Sequence, residues 1–222
     1  MAKTALITGA SKGIGLALAK QLLEKGLTVL GTSRSGRVKI EHQNFQAIQL
    51  DLAQKESIEQ FGTVVASQNL KIDWLLNNAG IGPDLETSFP EQETFEQTFD
   101  VNVKGTVFFT ESMLDRIKTG GLILNVSSKM GSIDYCKLSD SVAYRMSKSA
   151  LNMYTKILAN RLKDRIRVAS IHPGWVVTTI AKSNVHARLK PEESAEKIID
   201  YIENKLSHGD FWDAERAEHL KW

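Results

Sequence analysis

Tyr144 and Lys148 stand four residues apart in "AYRMSKSALNMY", with Ser139, Ser141 and Ser147 close by in the chain. On a helix, positions i and i+4 share a face, so both side chains can enter one cleft. A free phenol has a pKa of about 10, too high for ready proton exchange near neutrality, and a nearby ammonium lowers it. The pair therefore suits general acid–base chemistry. Tyr-x-x-x-Lys also occurs on ordinary amphipathic helices, so the rest of the chain has to decide. A second chemical signal is "TGASKGIG", residues 8–15, which follows an apolar run and opens a helical pattern. Glycines there remove side chains that would keep backbone N–H groups away from a pyrophosphate. Gly9, Gly13 and Gly15 are spaced G-x-x-x-G-x-G, which is neither the standard G-x-G-x-x-G nor a P-loop. Alone, such a turn is equally a tight strand–helix connection. Its place after the first strand of an α/β chain favours nucleotide binding.

The elements that must position these residues are legible as alternation. Short apolar runs at 4–8, 27–32, 45–50, 72–77, 121–127 and 166–171 predict buried strands. Between them, Ile14, Leu18 and Leu22 recur at helical spacing, with Gly26 as a stop. Similar periodicity predicts helices around 54–67, 92–117, 142–162 and 191–206, the last opening with Pro191 and acids that suit a helix N-terminus. Continuous apolar strands alternating with helices mean a parallel sheet covered on both faces. The expected fold is α/β, a doubly wound parallel sheet, in a single dinucleotide-binding and catalytic domain over residues 1–222.

Composition excludes other classes. With 28 Lys+Arg against 26 Asp+Glu and no basic block, nothing suggests nucleic-acid binding. The single cysteine, Cys136, rules out an intramolecular disulfide framework and fits a reducing compartment. No apolar run approaches the ~20 residues of a membrane span, and "MAKTALITGA" lacks signal-peptide character. A cytoplasmic protein without membrane contact is expected. The histidines, His42, His172, His186, His208 and His219, show no metal-ligand spacing, so no metal is expected.

Six segments, in order, resemble the classical short-chain dehydrogenase/reductase family: "TGASKGIG", "NNAG" (77–80), "VNVKG", "LNVSSKMG", "YRMSK" and "HPGWVVT". The C-terminal stretch from Pro191 is also similar to a subgroup of small carbonyl reductases and cell-signalling factors. The resemblance implies catalytic roles for Asn102, Ser128, Tyr144 and Lys148. Tyr144 would give a proton to a carbonyl oxygen as hydride arrives from a nicotinamide. Lys148 would lower the tyrosine pKa and hold the nicotinamide ribose. Ser128 would bond the same oxygen, and Asn102 would help hold a relay water. It also implies a cofactor cradle: Gly9, Ser11, Lys12, Gly13, Ile14 and Gly15 in the first turn, Asp51 and Leu52 after the third strand, and Asn78, Ala79 and Gly80 after the fourth. Tyr144, Lys148, Pro173, Gly174, Val176 and Thr178 complete it.

The segment between Ser128 and Tyr144 is longer than in many classical members, which predicts a loop over the site. It leaves Ser127, Ser139 and Ser141 as rival hydroxyls, and Tyr135 as a substrate-facing wall. Cofactor choice follows from "VLGTSRSG". An NAD enzyme commonly ends its second strand with an acid that bonds the ribose 2′-hydroxyl. Here Ser33 stands there, Arg34 follows and Lys12 lies in the glycine turn, so a 2′-phosphate is attracted rather than repelled. NADP(H) is expected, with a small carbonyl compound as substrate. A dinucleotide-binding regulator on the same fold is the alternative. A sugar-nucleotide epimerase is disfavoured by the short segment after Thr178. Met146 and Met153 are read as core or pocket lining, Cys136 as solvent or loop packing, and His172 as serving the backbone at the Pro-Gly turn. Phe109, Met113, Met153 and Ile157 are expected to form an outward stripe that makes a homodimer or homotetramer.

Overall fold

The computed structural model describes residues 2–222. Strands β1 (Thr4–Ile7), β2 (Thr28–Ser33), β3 (Phe45–Gln49), β4 (Ile72–Asn77), β5 (Ile117–Val126), β6 (Arg167–His172), β7 (Asp210–Asp213) and β8 (Glu218–His219) form one sheet in the order β3-β2-β1-β4-β5-β6-β7-β8. The pairings from β3 to β7 are parallel, and only β8 is antiparallel. Helices α1 (Gly13–Glu24), α2 (Lys55–Ser67), α3 (Gln92–Phe99), α4 (Thr106–Met113), α5 (Val142–Leu162) and α6 (Pro191–Asp200) cover both faces. This is a single-domain, doubly wound α/β fold.

The strands are apolar throughout because each face has its own core. Ala5 and Ile7 join the core built with Leu18 and Leu22 of α1 and Ile198 of α6. Leu6, between them, points into the core of Phe61 of α2, Phe109 of α4 and Leu158 of α5. Each such side chain, fully buried, contributes roughly 1.5–3 kcal/mol. The strand order reverses between β2-β1 and β1-β4. The crevice beyond the strand C-termini at that switch point is where open α/β sheets take ligands.

Three elements depart from expectation. The helix expected over 92–117 is interrupted by a π-helical turn, Asp100–Gly105, between α3 and α4. The Thr106 hydroxyl donates to the Val101 carbonyl at 3.1 Å, reaching five residues back. Such turns cluster at functional sites, and this one carries Asn102. Strand β5 starts at Ile117, not 121, because Ile117 pairs with Ile72 ahead of an irregularity in the ladder. Lys118–Gly121 break the apolar run there and hide the pairing from sequence. The last helix turns π-helical after Asp200, over Tyr201–Lys205, and two short strands follow it.

The expected outward stripe is also corrected. Phe109 and Met113 are 0% and 1% exposed, whereas Phe108, Met153 and Ile157 are 63%, 64% and 51% exposed. Helix α4 is apolar on both sides, so periodicity cannot say which stripe meets the sheet, and the neighbouring phenylalanine faces outward. Met146 is likewise exposed, not core. Among the described residues, no helix is long and apolar enough to cross a membrane.

Candidate active site

A cleft of about 1440 Å³ runs along the C-terminal ends of the strands, larger than the ~300–1,000 Å³ of ordinary small-ligand pockets. The glycine turn forms one end, with Gly9 and Gly13 in its lining, and packing places a second demand on its glycines. Gly9 has φ +69°, and a Cβ there would meet the Ala79 backbone at 3.0 Å. A Cβ on Gly15 would lie 2.3 Å from the Gly9 carbonyl oxygen and 2.5 Å from Asn78 Nδ2. These two are glycines because the turn packs against the segment after β4. Gly13 lines the open cleft and clears it for a ligand. Thr8, which sequence reading passed over, accepts from the Asn78 and Ala79 N–H groups at 3.0 Å each. Asn78 in turn donates to the Thr8 and Gly9 carbonyls. These bonds lock the two cofactor segments together.

Helix α1 begins without a side-chain cap and with no acid in its first turn. Its free N–H groups and positive dipole end suit a phosphate. Ser11, Lys12 and Ile14 line this end, and Lys12 Nζ donates to the Thr179 hydroxyl at 2.7 Å. At the end of β2, Ser33 Oγ donates to the Arg37 carbonyl, while Arg34 is exposed and lines the cleft. One Asp51 oxygen accepts from the Ala53 N–H, and Asp51 and Leu52 form the wall beyond. The donor set of bare helix N–H groups, two cations and a glycine-cleared floor fits an anionic dinucleotide.

At the other end of the cleft lie Ser128, Tyr144 and Lys148, all buried. Lys148 Nζ is 5.6 Å from the Tyr144 ring centroid and donates to the Val126 carbonyl at 3.0 Å. The phenol's pKa is pushed up to about 12, chiefly by burial; the Ser128 hydroxyl draws it down and the Asp84 carboxylate raises it further. Burial also pushes Lys148 down to about 8. Here burial, not Lys148, dominates the phenol, so Tyr144 holds its proton at neutral pH.

Ser128 is the hydroxyl beside the phenol, and it also accepts from the Met130 N–H. The rivals point elsewhere. Ser127 is turned to the Lys148 carbonyl, Ser141 accepts from the Glu86 N–H, and Ser139 is exposed. Asn102 is buried beside Gly80, and both its amide hydrogens are used. Oδ1 accepts from the Ile81 N–H, and Nδ2 donates to the Ile81 carbonyl and to Ser147 Oγ. Ser147 Oγ donates on to the Tyr144 carbonyl. With both amide hydrogens used, the side chain clamps the segment after "NNAG" to α5.

A family model for short chain dehydrogenases matches residues 3–189. The chain belongs to the short-chain dehydrogenase family. Members are NAD(P)-dependent oxidoreductases, and this one aligns at 32% identity over 194 residues with an uncharacterized oxidoreductase of Methylorubrum extorquens, covering 79% of this chain and 74% of that one. Among solved structures, a short-chain dehydrogenase/reductase from Burkholderia multivorans with bound NADP superposes with a TM-score of 0.89 at 27% identity, covering 100% of both chains. The carbonyl reductase Sniffer of D. melanogaster gives 0.88 at 27%, again over 100% of both.

In this short-chain dehydrogenase the Pro-Gly segment forms the wall opposite the glycine turn. Pro173, Gly174, Val176 and Thr178 line the cleft, and Thr178 accepts from Asn184 Nδ2 at 2.9 Å. His172 does not serve the backbone there. Its ring is buried with both nitrogens unpartnered, and burial pushes its pKa down to about 4, so it is neutral. Tyr135 and Leu138 of the long loop line the cleft together with Trp175 and Val177, alongside the charged Lys137, Asp140 and Arg145. Cys136 is exposed in that loop.

Proposed function

We propose that the protein is an NADPH-dependent carbonyl reductase. The observation that carries this reading is the protonated, buried Tyr144 with Ser128 beside it and Lys148 one turn on, lining a dinucleotide-sized cleft. NADPH, when bound, supplies the hydride. Tyr144 gives its proton to the carbonyl oxygen, and Ser128 donates a hydrogen bond to that oxygen as negative charge develops. Lys148, charged below about pH 8, holds the cofactor ribose. Arg34 and Lys12 favour the extra phosphate of NADP, and no acid stands at the end of β2 to repel it. Asn78, Ala79, Gly80 and Asp51 flank the same cofactor. The test is turnover of a panel of aldehydes, ketones and keto esters with NADPH and with NADH. Tyr135, Leu138, Trp175 and Val177 offer apolar surface to a substrate's aromatic or alkyl body, and Lys137 and Arg145 offer charge to an acidic one.

We further propose a homodimer in the cytoplasm, pairing through α4 and α5. Phe108, Met153 and Ile157, all more than half exposed, give these helices an uncovered apolar face of the kind that marks association sites. Light scattering at micromolar concentration is expected to show a particle of at least twice 24.7 kDa. A monomer at that concentration would refute the pairing.

A further inference from the structure

Helix α5 carries Tyr144 in its first turn, yet its own N-cap does not cap it. Ser141, at that position, has φ 55° and ψ 45°, a left-handed conformation, and makes no side-chain cap bond. A serine N-cap normally has extended backbone and accepts from the N–H two or three residues on. Ser141 Oγ instead accepts from the Glu86 N–H at 3.1 Å. The orphaned donor is the Tyr144 N–H, and both Asp84 carboxylate oxygens lie 3.2 Å from it. Asp84 is 1% exposed and comes from the segment after "NNAG", 60 residues earlier in the chain.

That segment is laced to the helix start on several sides. The Ser141 N–H donates to the Thr87 carbonyl at 2.9 Å. The Thr87 hydroxyl and N–H both return to the Asp84 carbonyl. A Cβ on Gly82 would lie 2.9 Å from Tyr144 Cδ2, so the segment also packs on the phenol ring. Glu86 sits at φ 73°. Two non-glycine residues held left-handed at one contact are strained, so the surrounding bonds must fix this arrangement firmly.

We propose that Asp84 is a positioning residue for the reduction: it caps the catalytic helix from the segment packed against its start and so fixes where the Tyr144 hydroxyl stands. The inference rests on the acid role proposed for Tyr144. Its second consequence is electrostatic, because a buried carboxylate this close opposes formation of the phenolate. The charged groups that line the cleft from the elements around this helix are Lys148 and Arg145 on the helix itself, Lys137 and Asp140 in the loop before it, Glu86 beside Asp84, Asp100 in the π-helical turn, and Lys129 beyond Ser128. Asp84 alone among these acids raises the phenol's pKa.

The test compares wild type, Asp84→Asn and Asp84→Ala with 1-phenyl-1,2-propanedione and NADPH at neutral pH. The asparagine keeps an acceptor for the Tyr144 N–H, and its kcat should stay within a few-fold of wild type. The alanine removes the acceptor, and kcat should fall about 10–100-fold, the scale of a displaced catalytic group, with KM little changed. Hydrogen exchange at the Tyr144 amide, which needs no turnover, should be at least tenfold faster in Asp84→Ala than in Asp84→Asn. If Asp84→Ala does not fold, Asp84→Asn is judged against wild type: amide protection within a few-fold is expected, and a tenfold loss would overturn the cap. Equal kcat and equal amide exchange in all three proteins would overturn the inference. So would an Asp84→Asn kcat as low as that of Asp84→Ala, since the asparagine keeps the acceptor. Retained turnover in Tyr144→Phe would instead sink the acid role itself, leaving the exchange result to judge the cap.

Discussion

Replacing Tyr144 by phenylalanine is expected to lower reductive turnover by about 10²–10⁴-fold, the usual scale of a general acid, while NADPH affinity stays within a few-fold. The ring keeps its packing against Gly82 and loses only the hydroxyl beside Ser128. The backbone N–H bonded to Asp84 and the carbonyl bonded to Ser147 are untouched, so the helix should hold its place. Lys148→Ala is expected to damage both turnover and NADPH affinity, because one ammonium has both duties. Ser128→Ala should resemble the tyrosine change. Ser141→Ala loses the bonds from the Glu86 N–H and to Asp140, neither of which touches the phenol, and should be milder than Ser128→Ala. Steady-state kinetics with fluorescence titration of NADPH separates these outcomes. Near-normal reduction by Tyr144→Phe would mean that another residue supplies the proton.

The second large effect concerns cofactor choice. Arg34→Glu is expected to cut kcat/KM for NADPH by about 10–100-fold, since a charge-assisted hydrogen bond is worth roughly 1.5–3 kcal/mol. NADH should be affected little, as it has no group for the guanidinium to grip. Arg34 is exposed and lines the cleft, so its charge can turn toward a phosphate without leaving an ion pair. The wild-type preference should weaken as salt rises, because an exposed cation is screened. Equal kcat/KM for both cofactors in the wild type would remove the basis for NADPH.

What could be read from sequence was local. Tyr144 and Lys148 share a helix face by spacing, and the glycine turn announces itself by composition at a strand end. The alternation of apolar runs with helical segments was enough for the parallel sheet. What stayed hidden depends on residues distant in the chain. Asp84 reaches the Tyr144 amide across 60 positions, and nothing in "GPDLET" marks a cap for a helix not yet begun. Thr8 reads as an ordinary strand end until the "NNAG" segment lies against it. The π-turn keeps an uninterrupted helical pattern, so only the structure shows the extra residue that turns Asn102 inward. Phe108 and Phe109 illustrate the limit of periodicity: adjacent and identical, one faces solvent and the other the core.

The most direct measurement is the stoichiometry of NADPH oxidation against alcohol formed, with purified protein and the carbonyl panel, run beside Tyr144→Phe. One NADPH consumed per alcohol produced, abolished to at least 10²-fold by the single hydroxyl, is the predicted result. No NADPH-dependent reduction of any member of the panel, despite measurable NADPH binding, would contradict it and leave a dinucleotide-binding protein without this activity.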